Sequence, residues 1–88
     1  TPLTPPQAVV DDVWWQLALC ECGGNPGCNI GNGYYGTFQF MPSTWWSVGG
    51  PGYPHEHPYE VQLHFAQVLQ ARGGWGQWPA CARRLGLI

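Results

Sequence analysis

Four cysteines in a chain of 88 residues constrain this sequence more than anything else in it. They are Cys20, Cys22, Cys28 and Cys81. A chain of this length makes one domain and buries only about 60–65% of its unfolded surface, so a hydrophobic core alone leaves a thin margin of stability. Cysteines at this density point to an oxidising compartment and to disulfides that supplement the core. Pairing Cys20 with Cys22 would close a ring across one residue, which disulfide geometry disfavours. Two arrangements remain: Cys20–Cys81 with Cys22–Cys28, or the crossed alternative. The first is preferred, because it joins a short clip to a staple between the two ends of the domain. Closing a loop of about 60 residues contributes on the order of 4 kcal/mol by chain entropy. The rival use of these thiols, a metal site, lacks any Cys-x-x-Cys pair or His-x₃₋₅-His spacing, and neither metal nor cofactor is expected.

The core has a second source. Six Trp, four Tyr and three Phe are present, and each aromatic, when buried, removes roughly 150–250 Å² from water. Thirteen Gly and nine Pro accompany these aromatics with only 9% charged residues, which reads as a loop-rich packed domain and not as disorder. There is no Lys, and the net charge is −2, so nothing here attracts a phosphate backbone and nucleic acid is set aside. No apolar run approaches the ~20 residues that cross a bilayer. Without an initiator Met or a signal peptide, the chain reads as a mature protein or an excised domain.

Residues 1–6 are expected to end an extended linker, with the domain spanning residues 7–88. The first helix is expected to start with Thr4 as its N-cap and Pro5 at its first position. Val10, Val13, Trp14, Leu17 and Glu21 follow helical spacing, and Gly23-Gly24 ends the helix. Asn32-Gly33 before Tyr34–Phe40 predicts a small hairpin. A short helix near Pro42 carries Trp45 and Trp46, and residues 49–58 are expected to be loop. The longest helix is predicted from about Tyr59 to Arg72, with Val61, Phe65, Val68 and Leu69 inward. Gly73-Gly74 stops it, Trp75–Trp78 turns, and Pro79 opens a last helix containing Cys81. The fold class expected is α+β, mostly helical, with a short β-hairpin and disulfide staples.

Of the five acids, only Glu21 sits where a carboxylate is unwelcome. Asp11 and Asp12 fall off the apolar stripe, Glu56 lies in a loop, and Glu60 occupies a first turn where the helix dipole favours an anion. Glu21 lies on the apolar face and at a helix C-terminus. Both placements raise its pKa, as a general acid working near neutral pH requires. The ordinary alternative is a carboxylate that accepts backbone N–H bonds in a loop. No partner acid lies in a comparable segment, although glycosidases usually pair two.

Taken together, Cys20-Glu21-Cys22-Gly23-Gly24-Asn25, Gly31-Asn32-Gly33-Tyr34-Tyr35-Gly36, Gln39-Phe40, Ser43-Thr44-Trp45 and Gly74-Trp75-Gly76-x-Trp78-Pro79-x-Cys81 closely resemble the resuscitation-promoting factor domain. The resemblance runs from Val13 to Leu85. It implies a small lysozyme-like fold, secretion to the cell wall, and cleavage of peptidoglycan glycan strands between N-acetylmuramic acid and N-acetylglucosamine. It puts Glu21 on the catalytic glutamate, Cys20 and Cys81 on the family disulfide, and Tyr34 and Thr44 on cleft positions. Other cell-wall hydrolases are implied as partners, and a monomer is expected. Four departures from the pattern stand out: Gly73 where a cleft Gln is frequent, Pro26 for a common Trp, the added Cys22/Cys28 pair, and a shortened 49–58 segment holding His55 and His57.

A lone glutamate suits lytic transglycosylation, with Glu21 as acid and then base. A lysozyme-type hydrolysis of the same bond is the alternative, and a non-catalytic glycan-binding module is the rival from another class. Asn32, Tyr34, Thr44 and Trp75 are the expected substrate contacts. Tyr35 and Trp78 are further flat faces on which sugars can stack. Most Trp, Trp14 and Trp45 first among them, are expected in the core. His55, His57 and His64 are expected to be structural or exposed.

Overall fold

The computed structural model describes residues 13–88, so the expected linker and the Thr4–Pro5 helix start lie outside the described residues. Among the described residues four α-helices follow one another: α1 Val13–Cys22, α2 Pro42–Ser47, α3 Tyr59–Gly73 and α4 Pro79–Arg84. Two 3₁₀ turns, Pro54–Glu56 and Gly74–Gln77, precede and follow α3. The segment expected as plain loop from Gly49 to Pro58 therefore contains a helical turn. Pro42 and Pro79 open α2 and α4, where a fixed φ costs nothing and the missing N–H would have been unpaired. Among the described residues no helix is long and apolar enough to cross a membrane.

The core is built from rings and short aliphatics. Leu17, Ala18, Phe38, Trp45 and Ala66 are fully buried. Trp45 packs edge-on against Phe40 and Phe65 and sends its indole N–H to the Pro51 carbonyl at 2.9 Å. Trp78 does the same for the other half of the core, donating to the Phe38 carbonyl at 2.9 Å. Both indoles thus bury their area without leaving a polar atom unpaired. Trp14, half-buried, meets Phe38 and Trp78 edge-on. Disulfides join Cys20 to Cys81, fastening α1 to α4, and Cys22 to Cys28, fastening the end of α1 to the loop after it. All four cysteines are so consumed, which leaves no thiol to ligate a metal.

Two expectations need correcting. The segment predicted as a hairpin forms no strand: it contributes isolated antiparallel bridges, Asn29 with Tyr35 and Tyr35 with Phe40. Residues 36–39 fold back too tightly for a ladder. Tyr35 and Phe40 exchange both backbone hydrogen bonds at 2.9 Å, and the Gln39 N–H returns to the Gly36 carbonyl. The buried positions of α3 also differ from those expected. Leu69 is buried as expected, but Tyr59, Gln62 and Ala66 point inward with it, whereas Val61, Phe65 and Val68 flank the core half-buried.

The reason is Gln62, a fully buried amide that hydrophobic spacing could not place. Its oxygen accepts the Thr37 N–H at 2.6 Å, and its nitrogen donates to the carbonyls of Pro26 and His57 at 2.9 and 2.7 Å. One side chain thereby ties three loops to α3. Gly36 makes the approach possible, because a Cβ there would collide with the Gln62 amide and its φ of 82° suits glycine.

Candidate active site

Glu21 owes its position to the way α1 ends. Gly23, at φ 62°, takes the left-handed conformation, the Gly23 N–H bonds back to Leu19, and the Gly24 N–H reaches the Ala18 carbonyl at 3.1 Å. This termination leaves Glu21 in the last turn, between two disulfide-bonded cysteines. Its backbone is held on both sides, so the carboxylate has a fixed base from which to project.

The side chain lines a cavity of about 380 Å³, together with Ile30, Asn32, Tyr34, Gln39, Gln77, Trp78, Pro79 and Ala80. A second cavity of about 210 Å³ adjoins it, lined by Tyr34, Gln39, Phe40, Met41, Thr44, Leu69, Gln77 and Trp78. Tyr34, Gln39, Gln77 and Trp78 line both, so the two cavities adjoin, one holding Glu21 and the other Thr44. A cleft of this kind accepts an extended ligand more readily than a compact one.

Among the described residues Glu21 is the sole carboxylate lining either cavity, and no basic side chain lines them. Burial pushes its pKa from 4.5 up to about 7, since nothing in the cleft compensates for lost water around the charge. Glu56, the loop acid nearest in the sequence to a second candidate, is engaged elsewhere. Its Oε1 accepts the Tyr53 N–H at 3.0 Å within the 3₁₀ turn.

Of the expected substrate contacts, the cleft brings together Asn32, Tyr34 and Thr44. Tyr34 is 41% exposed and touches both cavities. Asn32 spends its side-chain oxygen on the Tyr34 N–H at 3.0 Å, which fixes the turn that presents the phenol. Trp75 lines neither cavity. Its ring leans on Trp14 at 4.7 Å between centroids and on Trp78, so it supports the cleft wall from behind. Tyr35 likewise turns away, stacking on His55 and meeting Tyr53 edge-on. Trp78 is only 4% exposed but forms part of both cavities. His57 is held by the Pro51 carbonyl at 2.7 Å, and His64 packs on Phe65 outside the cleft.

Sequence reading missed Gln39 and Gln77. Gln39 stands in a recognisable Gln-Phe motif, yet its distinguishing feature is conformational. It alone among the non-glycine described residues has positive φ, at 53°, and its amide nitrogen is anchored on the Gly36 carbonyl at 3.0 Å. Such local strain clusters at functional sites. Gln77 carried no signal, because a glutamine between two Trp in a turn has no diagnostic spacing.

Comparison with known proteins places the chain in a family. The model of the transglycosylase-like domain matches residues 8–81. The chain belongs to this family. Its relatives include resuscitation-promoting factor Rpf of Micrococcus luteus, 48% identical over 94% of this chain and 37% of that protein. Resuscitation-promoting factor RpfB of Mycolicibacterium smegmatis is 46% identical over 83% of this chain and 21% of its own length. For RpfC of Mycobacterium tuberculosis the identity is 43%, over 84% of this chain and 53% of that protein. The transglycosylase-like domain presented here thus spans between about a fifth and a half of these curated relatives, and it is the resuscitation-promoting factor domain that the sequence motifs resemble.

Proposed function

We propose that this domain cleaves peptidoglycan glycan strands at the bond between N-acetylmuramic acid and N-acetylglucosamine, as a lytic transglycosylase with Glu21 as its single acid and base. The observation that carries the reading is a lone carboxylate, raised to about 7 by burial, among otherwise uncharged residues that line two adjoining cavities. At neutral pH such a group is about half protonated, so it can give a proton and take one within a single turnover.

Protonated Glu21 donates to the glycosidic oxygen as the bond to the anomeric carbon breaks and an oxocarbenium-like state develops. The substrate's own acetamido group stabilises that state, the task a second carboxylate performs in paired-acid enzymes. Ionised Glu21 then accepts the proton of the muramic acid 6-hydroxyl. Its oxygen closes on the anomeric carbon and leaves a 1,6-anhydro end. The uncharged lining fits a substrate recognised by stacking and hydrogen bonds, for which Tyr34, Asn32 and Thr44 are placed along the cleft. The two disulfides suit work outside the cell, at the wall.

The test is digestion of purified peptidoglycan followed by mass spectrometry of the released fragments. Anhydro ends support the transglycosylase. Products heavier by one water mean a lysozyme-type hydrolase on the same bond, and binding without release means a glycan-binding module.

A further inference from the structure

Gln77 and Gly73 face each other across the turn that joins α3 to α4. A methyl group on Gly73 would collide with the Nε2 and Cδ of Gln77, so the glutamine amide lies in the space that any other residue at 73 would fill. The backbone does not require glycine there, because Gly73 has φ −128°, which every residue adopts. What a side chain at position 73 would take away is the room the Gln77 amide occupies.

That amide lies where the cleft changes from one cavity to the other. Four residues line both cavities: Tyr34, Gln39, Gln77 and Trp78. The donors of two are already committed. Gln39 Nε2 donates to the Gly36 carbonyl and contacts Cys28 Sγ, and Trp78 Nε1 donates to the Phe38 carbonyl. Gln77 has no side-chain hydrogen bond to the described residues, so both its N–H groups and its carbonyl are available to a ligand. A glycan offers hydroxyl and acetamido groups that both give and accept hydrogen bonds, and a carboxamide matches either partner.

We infer that Gln77 binds substrate at the junction of the two cavities, and that Gly73 is small in order to seat its carboxamide there. The inference rests on the reading of the cleft as a glycan site. It assigns a recognition role to a residue four positions from its steric partner, on a turn that precedes α4.

The test compares Gln77→Ala, Gly73→Ala and the double variant by kcat/KM on purified peptidoglycan. Melting temperature is followed in parallel. Gln77→Ala is expected to lose about 3–10-fold in kcat/KM with an unchanged melting temperature, the size of one neutral hydrogen bond. Gly73→Ala is expected to displace the flexible amide, lose activity to a similar extent, and melt at the same temperature or higher. The double variant should be no worse than Gln77→Ala, since both changes remove one interaction. Full activity of either single variant, or additive losses in the double variant, overturns the inference. Titration of Glu21→Gln protein with soluble peptidoglycan tetrasaccharides, read by Trp fluorescence, isolates binding from chemistry. Weaker binding on adding Gln77→Ala supports the role, and equal binding refutes it. A wild-type protein that releases no glycan refutes the catalytic reading instead, and leaves this titration to decide the role of Gln77.

Discussion

The amide oxygen of Gln62, in the first turns of α3, accepts the backbone N–H of Thr37 at 2.6 Å in a fully buried setting. The same amide donates to the Pro26 and His57 carbonyls. Gln62→Ala therefore orphans a buried donor, frees two loop carbonyls and opens a void. A loss of about 3 kcal/mol is expected, from the cost of an unsatisfied buried group plus the missing atoms. Urea denaturation measures it, and a loss below about 1 kcal/mol would mean that water replaces the amide.

The two disulfides differ in what they are expected to contribute. Cys20–Cys81 closes a separation of 61 residues and Cys22–Cys28 one of 6. By loop-closure entropy the first stabilises by about 4 kcal/mol and the second by about 2 kcal/mol. Paired Cys→Ser replacements, compared by chemical denaturation, should rank in that order. Equal losses would show that strain or residual structure dominates over chain entropy.

Glu21 couples stability to pH. Its folded pKa is raised from 4.5 to about 7, so the native state holds its proton more tightly than the unfolded chain does. The protonated group costs nothing below the unfolded value. The penalty grows as pH rises from about 4.5 and is complete above about 7. Glu21→Gln should then leave stability at pH 4 unchanged and raise it at pH 8 by about 1–2 kcal/mol, a figure reduced for partial solvent access. Thermal melts at both pH values check this. A variant that melts lower at pH 8 would indicate that the ionised carboxylate is held by bonds and not merely desolvated.

Much of this architecture was legible in the residues. Pro42 and Pro79 marked helix starts, Gly23 marked the end of α1, and Glu21 stood out as the acid on an apolar stripe. What was not legible depends on contacts between distant segments. The turn after Asn32-Gly33 looks like a hairpin by local chemistry, but the tight return at Gly36–Gln39 and the Gln62 bolt leave only isolated bridges. Gln62 itself reads as a surface residue, because nothing local reveals that three loops converge on it. Trp75 and Trp78 share one motif and yet separate, one behind the wall and one in it, according to how each packs on Trp14. The strained Gln39 and the seated Gln77 belong to the same class of feature. Their significance lies in a backbone angle and a missing methyl group.

The central claim is that Glu21 carries the proton in glycan cleavage. The most direct measurement is the rate of glycan release from purified peptidoglycan by Glu21→Gln, an isosteric change that keeps the cleft and removes the acid. A fall of about 10²–10⁴-fold, with a melting temperature no lower than that of the wild type and binding of glycan fragments retained, is the predicted result. Release at the wild-type rate would contradict the account.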